Sequence, residues 1–391
     1  MNHPSSTNSY DVAIVGSGPA GASAALCLAA AGVRVVVIEE AASLPRYKAC
    51  GGGIVRRALR LVPLDIREAV ERDIFSAEMN LLDAGLHFET KREAPIISMT
   101  MREKFDYLLI SAAGKAGAQI RVSCRLQDIS AKNESVELTT STGSLFAGFV
   151  IAADGASSTV ARSLHLSDNR RLIPALEYEV FVDDGLLDRF SGSARFDFGV
   201  VPYGYGWVFP KRDHLSIGVL TMRGGSTNLN EKCHSYLKLL GITSISRTER
   251  HGSMIPVATR GNPFAIGRVM LVGDSAGFAD PLTGEGISHA IRSGQMAANA
   301  LLRCGLRQDE AAAAYHHDVS SQILPELDAA RKLAGLIYYH PRLRSILFRL
   351  YGQRFVEAAT DIMTGHRTYR EGINNPASYL RLLNFSCLSG L

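Results

Sequence analysis

The sequence has none of the paired cysteines, long apolar runs or basic blocks that mark several large classes of protein. Its six cysteines are scattered over 391 residues without a C-x-x-C pair, so zinc and iron–sulfur sites have no support and reduced thiols are expected. No segment reaches the ~18 uncharged apolar residues of a membrane span, and residues 1–9 lack the apolar core of a signal peptide. A formal net charge of +4 without Lys/Arg blocks argues against a nucleic-acid partner. We therefore expect a cytoplasmic protein with no metal site.

Tryptophan is also scarce, since Trp207 is the only one in the chain. Hydrophobic residues make up 46% and charged residues 20% of the sequence, which are the proportions of an ordinary globular protein. The length predicts two or three domains with a sizeable core. Neither internal repeats nor low-complexity segments are present, so motifs carry the functional information.

Glycine, in contrast, is plentiful at 36 residues, and one group near the N-terminus is ordered. It follows an apolar run at 12–15 that predicts a buried strand, opens an Ala-rich helix, and precedes a second apolar run at 33–38. In a G-x-G-x-x-G motif the first glycine allows a tight turn, the second lets backbone approach a pyrophosphate, and the third lets helix and strand pack closely. The helix N-terminus offers N–H groups to phosphates, and a terminal acid accepts ribose hydroxyls. These residues predict a dinucleotide site, without deciding between FAD and NAD: Gly16, Gly18, Pro19, Ala20, Gly21 and Glu39.

Two later strand-like segments also end in an acid. Asp154-Gly155 follows one buried run, and Gly273-Asp274 follows another and leads through a Gly/Pro loop into a helix predicted for 286–303. Because open α/β sheets bind ligands at the carboxyl ends of their strands, Asp274 is placed to hydrogen-bond a polyol chain. The amides from Gly284 to Ile287 face any anion at the helix N-terminus. Taken alone, Asp154-Gly155 is more often a plain turn.

The loop at 41–53 combines positive charge with glycine. Arg46 and Lys48 place positive charge near the expected phosphates. The run Cys50-Gly51-Gly52-Gly53 lets backbone come close to something flat or bulky, unless the loop is simply flexible surface. Beyond the loop, the apolar pattern predicts helices at 55–62 and 66–72.

The middle and the end of the chain follow different patterns. From 176 to 255, short alternating strands with turns between them predict an antiparallel sheet inserted in the nucleotide-binding domain. The tail from 307 to 391 predicts helices, and its segment 329–350 is apolar and aromatic with arginines at intervals, broken by Pro341. Such helices pack on the domain surface or, alternatively, rest a basic-aromatic face on lipid headgroups.

Taken together, the motifs resemble a known family. Besides the three dinucleotide and acid signatures, the chain contains PRYKACGGG at 45–53, YGWVFPK at 205–211 and GDSAGFADPLTGEGI at 273–287. In this combination it resembles the geranylgeranyl reductase family, one of the FAD-dependent oxidoreductases related to para-hydroxybenzoate hydroxylase. The resemblance covers roughly residues 10–305 and is strongest in the Tyr-x-Trp-x-Phe-Pro-Lys segment.

The resemblance implies a fold, a cofactor and a reaction. We expect an α/β protein with a three-layer, Rossmann-like FAD-binding domain at 1–175 and 261–305, an inserted antiparallel substrate domain at 176–260, and a helical tail at 306–391. The family reduces isoprenoid double bonds in lipids, chlorophyll precursors or quinones, with hydride from reduced flavin. The implied partners are a prenyl lipid or prenyl diphosphate, an electron donor (NADPH, NADH or ferredoxin) and, in addition, a peripheral membrane contact. No second G-x-G-x-x-G marks a nicotinamide domain.

Site residues are predicted by matching positions to the family motifs and to the strand ends above. Catalytic roles fall to Cys50, as proton source or flavin-facing gate, and to Tyr205 and Trp207, which with Phe209 line a prenyl pocket. For each of these the alternative is an ordinary packing residue. Lys211, Arg212 or Arg46 is expected to hold a headgroup at the pocket mouth. The predicted cofactor-binding residues are Gly16, Gly18, Pro19, Ala20, Gly21, Glu39, Arg46, Cys50, Gly51, Arg102, Asp154, Gly273, Asp274, Gly284, Gly286 and Ile287.

Two other functions stay open from the sequence. A flavin monooxygenase or halogenase uses the same scaffold, but a halogenase has Trp-x-Trp-x-Ile-Pro where this chain has Tyr-Gly-Trp-Val-Phe-Pro. A hydroxylase is harder to exclude. The third possibility is a non-catalytic flavin- or lipid-binding protein, which differs in that an electron donor would not bleach its flavin.

Overall fold

The computed structural model describes residues 8–132, 134–166, 168, 170–223, 227–261 and 263–374. The last part of the predicted tail, 375–391, lies outside these residues. The described strands are β1 (Ser9–Val15), β2 (Val35–Ile38), β3 (Gly53–Val55), β4 (Val70–Ile74), β5 (Ser76–Leu81), β6 (Leu86–Lys91), β7 (Ile97–Thr100), β8 (Gln119–Arg121), β9 (Leu126–Ala131), β10 (Val136–Thr140), β11 (Gly143–Ala152), β12 (Leu172–Phe181), β13 (Ala194–Phe198), β14 (Gly204–Pro210), β15 (Leu215–Thr221), β16 (Arg247–Pro256), β17 (Ala265–Ile266) and β18 (Val269–Leu271). The described helices are α1 (Pro19–Ala30), α2 (Arg56–Leu59), α3 (Arg102–Lys115), α4 (Thr159–Ser163), α5 (Asp184–Phe190), α6 (Leu229–Leu239), α7 (Ile287–Arg303), α8 (Gln308–Gln322), α9 (Leu324–Tyr339), α10 (Pro341–Thr364) and α11 (Tyr369–Asn374).

The first sheet brings the three predicted motifs to one edge. Its strands run in the order β17-β18-β11-β1-β2-β8, with β10 and β9 continuing from β11. The β1, β2, β11, β18 and β8 pairings are parallel, and all four residues of β2 are buried, as expected for a strand covered on both faces. Val15 pairs with both Ile38 and Ala152. The residues that follow these strand ends, including Gly16, Glu39 and Asp154, therefore meet at the carboxyl edge of the sheet.

Small residues let the helices approach this sheet and one another closely. Helix α1 is Ala-rich and buried along most of its length. Helix α7 crosses it at Gly294, where an added Cβ would lie 2.1 Å from the Ala20 carbonyl oxygen. The fold class expected from the sequence, a Rossmann-like FAD-binding domain with an inserted sheet and a helical C-terminal region, is confirmed.

The second sheet draws strands from two parts of the chain. Its order is β16-β12-β15-β14-β13-β5-β6, and its neighbours are antiparallel except for the parallel pair β13 and β5. Strands β13 to β16 and most of β12 come from the predicted insert at 176–260. Strands β5 and β6 come from 76–91, inside the segment that we assigned to the FAD-binding domain. A smaller sheet, β3-β7-β4, takes its strands from the chain on either side of β5 and β6.

One local prediction was wrong. The segment 66–72 was expected to be helical, but only a 3₁₀ turn at Arg67–Ala69 forms, and the chain continues as strand β4. Val70 pairs with Thr100 and Ile74 with Ile97 of β7, and β-branched residues favour such a pleated position. Tertiary pairing has therefore overridden the helical pattern. The other predicted helix, 55–62, forms only over the 4 residues of α2.

The C-terminal helices pack against the second sheet rather than lying apart from it. As predicted, the chain breaks at Pro341, since α9 ends at Tyr339 and α10 begins at the proline. Gly352 of α10 lies on the Phe88 ring, to which an added Cβ would come within 2.1 Å. Side chains of α9 and α10 share a hydrophobic core with Tyr205 and Trp207. None of the described helices is long and apolar enough to cross a bilayer.

Candidate functional site

A cavity of about 1070 Å³ joins the carboxyl edge of the first sheet to the second sheet and the C-terminal helices. One end, called here the nucleotide end, is lined by the residues that follow β1, β2 and β11. The other end, called the chamber, lies between β13, β14 and helices α9 to α11. Gly21 and Gly273 are not among the lining residues. The predicted site residues that line the cavity are Gly16, Gly18, Pro19, Ala20, Glu39, Arg46, Cys50, Gly51, Arg102, Asp154, Tyr205, Trp207, Asp274, Gly284, Gly286 and Ile287.

The glycines of the G-x-G-x-x-G motif are required for different structural reasons. Gly16 has φ +101°, and an added Cβ would lie 2.4 Å from the Ala153 carbonyl oxygen. At Gly21 it would lie 2.0 Å from the Gly16 carbonyl oxygen. Both are required by the packing of the protein itself. At Gly18 the nearest atom is Arg46 Nη2 at 3.7 Å, so the chain leaves an open cradle at the start of α1, and this fits a pyrophosphate.

Glu39 is held as an ionised acceptor at the end of β2. Its side chain is buried, Oε2 accepts from the Ser17 amide at 3.1 Å and the Ser17 hydroxyl at 2.6 Å, and Oε1 accepts from the Ala41 amide at 3.0 Å. Arg46 Nε lies 3.1 Å from Oε2. Burial opposes the charge, but Arg46 and the Ser17 donors lower the pKa of Glu39 below its ordinary value. A fixed carboxylate at this position suits a ribose diol.

Arg102 begins α3 and reaches the cavity with a partner that the sequence analysis missed. Asp106, one turn later, accepts from Arg102 Nε and Nη2, both at 2.8 Å. Burial disfavours the charge of Arg102, yet Asp106 and the nearby Cys50 raise its pKa above the ordinary value. The i, i+4 spacing in REKFD was the available signal for this pair.

Two half-buried carboxyl groups, Asp154 and Asp274, line the nucleotide end. Asp154 Oδ2 accepts from the Val160 amide at 3.0 Å, whereas Oδ1 is buried without a donor among the described residues. Burial raises the pKa of both Asp154 and Asp274. A buried acceptor without a partner, such as Asp154 Oδ1, is expensive, so this carboxyl group fits a ligand that brings a hydroxyl donor.

The Cys50–Gly53 loop packs on strand β14. An added Cβ at Gly51 would lie 2.9 Å from Trp207 Nε1, and one at Gly53 would lie 3.3 Å from Phe209 Cε2. At Gly52, which has φ +65°, it would lie 2.0 Å from the Thr100 carbonyl oxygen. The flat groups that these glycines admit are therefore the aromatic side chains of the YGWVFPK segment. The two motifs form one packing unit.

Lys211 fixes this unit and does not hold a headgroup, so the prediction that assigned it to the pocket mouth was wrong. Its side chain is fully buried, and Nζ donates to the carbonyl oxygens of Gly51 at 2.6 Å and Thr100 at 2.9 Å. Burial lowers its pKa. Arg212 lies outside the cavity near Glu71, and Arg46 pairs with Glu39 at the nucleotide end. None of the three faces the chamber.

The chamber has an aromatic wall and a helical wall. Trp207 lies flat over Gly218, where an added Cβ would be 2.1 Å from the ring atom Cζ2. Its Nε1 is buried without an acceptor among the described residues. The aromatic wall consists of Phe196, Phe198, Tyr205, Trp207 and Phe209, and the helical wall of Ile337, Tyr338, Phe355, Ala359, Ile362, Met363 and Tyr369.

Tyrosines from both walls fasten the loop between β18 and α7. Tyr205 donates to the Thr283 carbonyl oxygen at 2.5 Å, and Tyr338 donates to that of Leu282 at 2.6 Å. Tyr369 donates to Asp280 Oδ2 at 2.8 Å. The C-terminal helices are therefore part of the site, which the sequence analysis did not anticipate because helical pattern alone does not show what a helix covers.

Comparison with known proteins assigns the family. The FAD binding domain family matches residues 9–322. Digeranylgeranylglycerophospholipid reductase 1 of Methanopyrus kandleri is 30% identical over 355 residues, covering 84% of this chain and 90% of that protein. The chain belongs to the geranylgeranyl reductase family of FAD-dependent oxidoreductases. The chloroplastic geranylgeranyl diphosphate reductase of Arabidopsis thaliana is 33% identical over 318 residues, which are 74% of this chain but only 65% of that longer protein.

Solved structures share the fold of this geranylgeranyl reductase family member. A geranylgeranyl bacteriochlorophyll reductase-like protein from Thermoplasma acidophilum superposes with a TM-score of 0.79 at 22% identity, covering 96% of this chain and 99% of that one. The halogenase PltM, in complex with phloroglucinol and FAD, gives a TM-score of 0.69 at 19% identity, covering 96% and 86%. At these identities the likeness concerns the fold alone. The family resemblance and the FAD-dependent oxidoreductase class expected from the sequence are confirmed.

A further cavity residue of this reductase-family protein escaped the sequence analysis. Glu177 on β12 lines the cavity, and its Oε1 accepts from the Cys50 amide at 2.6 Å and from the Tyr47 hydroxyl at 3.2 Å. An isolated Glu in an alternating strand gives no local signal. Only the register of the sheet brings it beside the loop.

Proposed function

We propose that this protein is an FAD-dependent reductase that saturates isoprenoid double bonds of the geranylgeranyl type. The observation that carries the proposal is the continuity of the cavity, which leads from the dinucleotide motifs directly into an aromatic and aliphatic chamber. The names of the relatives from Methanopyrus kandleri and Arabidopsis thaliana support a prenyl substrate. When bound, FAD supplies the hydride.

The nucleotide end is proposed to hold FAD through backbone and carboxylate contacts. Gly18 and the first turn of α1 receive the pyrophosphate, and Glu39 accepts the ribose hydroxyls. Asp154 and Asp274 accept from the remaining hydroxyls, because both are half-buried carboxyl groups that line the cavity at this end. The amides from Gly284 to Ile287 stand at the N-terminus of α7, where a developing anion is stabilised.

The chamber is proposed to hold the hydrocarbon chain. Tyr205, Trp207 and Phe209 exclude water from the reacting bond, which has no polar handle of its own. Burying a prenyl chain against these rings and the α9–α11 helices contributes ~0.8 kcal/mol per CH₂ equivalent. Cys50 stays a proposed proton source or gate at the junction of the two ends.

Access to a lipid substrate is proposed to involve the outer face of α10. Leu343, Ile346 and Leu350 are 44%, 55% and 66% exposed and follow helical spacing on one side. The exposed Arg342 and Arg349 flank them. An apolar stripe bordered by arginine suits peripheral contact with an anionic membrane surface. The proposed electron donor is NADPH, NADH or ferredoxin.

Anaerobic turnover tests the proposal. The bound flavin is reduced with dithionite and mixed separately with geranylgeranyl diphosphate and with vesicles of digeranylgeranylglycerophospholipid, and the products are examined by mass spectrometry. A mass gain in steps of two hydrogens supports the reductase. A product that gains oxygen, and only in air, would instead assign a monooxygenase.

A further inference from the structure

The cavity face of the second sheet is aromatic on one side and acidic on the other. Trp207 pairs with Gly218, and Gly218 pairs with Glu177, so the three residues form one row across β14, β15 and β12. Because the Trp207 ring lies flat over Gly218, no side chain separates it from Glu177 along this row. Glu177 therefore stands beside the reaction chamber, at the junction with the Cys50 loop.

Glu177 is surrounded by groups that keep it poised between its two protonation states. Its side chain is 4% exposed. Burial and the like charge of Glu179 raise the pKa of Glu177 to about 7. The Cys50 amide, Lys211 and the Tyr47 hydroxyl act in the opposite direction, because they favour the ionised carboxylate. His251 on β16 lies directly opposite in the sheet register and stacks on Tyr47.

Titratable side chains extend to the surface from Glu179, whose like charge acts on Glu177. Glu179 is two residues further along β12, points to the same face and is 2% exposed. His214 Nε2 lies 3.2 Å from Glu179 Oε2 as an ion-pair contact, not an aligned hydrogen bond, and His214 Nδ1 lies 2.7 Å from Asp213 Oδ1. The Asp213 side chain is 72% exposed to solvent. Burial opposes a charge on His214, but the two carboxylates raise its pKa and so favour its protonated form.

We propose that Glu177 supplies the proton for double-bond reduction, which leaves Cys50 the role of gate, and that Glu179, His214 and Asp213 return a proton to Glu177 from solvent. The inference rests on the proposed function, since saturating an alkene requires one hydride and one proton. The reduced flavin is the hydride donor. The O–H bond of the Glu177 carboxyl breaks, the alkene π bond breaks, and a C–H bond forms at the second carbon. The carboxylate that remains takes up a proton through His214.

Glu177→Gln separates proton delivery from loop support. The amide oxygen of glutamine still accepts from the Cys50 and Tyr47 donors, but the side chain has no proton to release. We expect single-turnover reoxidation of dithionite-reduced enzyme by geranylgeranyl diphosphate, or by vesicles of digeranylgeranylglycerophospholipid, to slow by about 10²-fold or more, in the range of lost general acid catalysis. The wild-type rate should fall as the pH rises through about 7, and the variant rate should be flat there. Flavin absorbance per protein should be unchanged, and Glu249→Gln, on the exposed edge strand β16, should behave as wild type.

Thermal unfolding of the flavin-loaded protein supplies a readout that needs no substrate. With a pKa raised from 4.5 to about 7, native Glu177 holds a proton that the unfolded chain has released, so stability is lost as the pH rises through this window. As the pH rises from 4.5 to about 7, the melting temperature of wild type should therefore fall relative to that of Glu177→Gln. Parallel melting curves, or a variant that turns over like wild type, would overturn the proton role. A wild type that reduces neither prenyl probe would refute the proposed function, and this inference with it.

Discussion

At the scale of single residues, the glycines of the dinucleotide motif divide into those that the fold needs and those that a ligand needs. Gly21 touches the Gly16 carbonyl oxygen so closely that no side chain fits, whereas Gly18 borders only the cavity and the end of Arg46. The motif alone does not make this distinction, because all its glycines look alike in the sequence. The structure therefore predicts opposite consequences for the same substitution at two positions.

Gly18→Ala should give a folded protein that lacks flavin. The new methyl group meets no protein atom closer than 3.7 Å, so stability should stay within about 0.5 kcal/mol of flavin-free wild type, while the pyrophosphate loses its space. Gly21→Ala should instead lower the melting temperature strongly, since its Cβ would lie 2.0 Å from a carbonyl oxygen. Flavin absorbance and thermal unfolding measured on both variants check this. A yellow, fully loaded Gly18→Ala protein would contradict it.

Asp274→Ala should weaken FAD binding. Removing one partner of a buried hydrogen bond costs about 1–3 kcal/mol, which corresponds to roughly 5- to 150-fold in affinity. Titration of apoprotein with FAD, followed by flavin fluorescence, gives the number, with the exposed Asp65→Ala as the control. Equal affinity in both variants would remove Asp274 from the site.

At the scale of elements, the Cys50–Gly53 loop and strand β14 act as one unit whose parts are 150 residues apart in the sequence. Its pieces were all visible in the sequence as motifs, but their contact was not. Lys211 was the clearest failure: beside Arg212 in a polar turn it resembled a surface cation, and only the sheet register buries it under the loop. Glu177 and Asp106 were missed for the same reason, since a lone acid is interpretable only when its neighbours in space are known.

Lys211→Met should destabilise the protein by about 1–3 kcal/mol, because the Gly51 and Thr100 carbonyl oxygens lose their donor in a buried place. Methionine keeps most of the volume, so the loss reports the hydrogen bonds. The neighbouring Arg212→Met, at a side chain that is 68% exposed, should change stability by less than about 0.5 kcal/mol. Urea unfolding of the two variants measures this difference. Equal urea midpoints for Lys211→Met and Arg212→Met would show that Lys211 does not stabilise the loop.

The C-terminal helices set the size of the chamber, and this too can be tested at the level of one element. Ala359 of α10 lines the cavity with a small side chain. Ala359→Phe should fill part of the chamber and lower the rate with a twenty-carbon prenyl chain while leaving FAD content unchanged. Glu357→Phe on the exposed side of the same helix is the control. Equal rates for the two variants with geranylgeranyl diphosphate would contradict the assigned helical wall.

At the scale of the whole molecule, the FAD-binding fold was predictable because its signatures are local: a strand, its glycines, a helix and a terminal acid stand within thirty residues. The substrate side was less predictable, because its walls combine β13 and β14 with helices more than a hundred residues later. The tail was expected to cover the domain surface or to rest on a membrane, and its helices also form one wall of the chamber. Tyr338 and Tyr369 link it to the loop that precedes α7.

The central claim is that the nucleotide end and the chamber serve one reaction, the addition of hydrogen to a prenyl double bond. Its most direct measurement is the mass of the product after anaerobic single turnover of the reduced protein with geranylgeranyl diphosphate or with digeranylgeranylglycerophospholipid in vesicles. The account predicts oxidation of the flavin together with a product heavier by two hydrogens per turnover. In deuterated water both added hydrogens should be deuterium, because dithionite-reduced flavin takes its transferable hydrogen from solvent and the proton also comes from solvent through the protein. The claim would be contradicted if the reduced flavin persisted in the presence of both substrates. It would be contradicted most clearly if the flavin reacted only after oxygen was admitted and gave an oxygenated product.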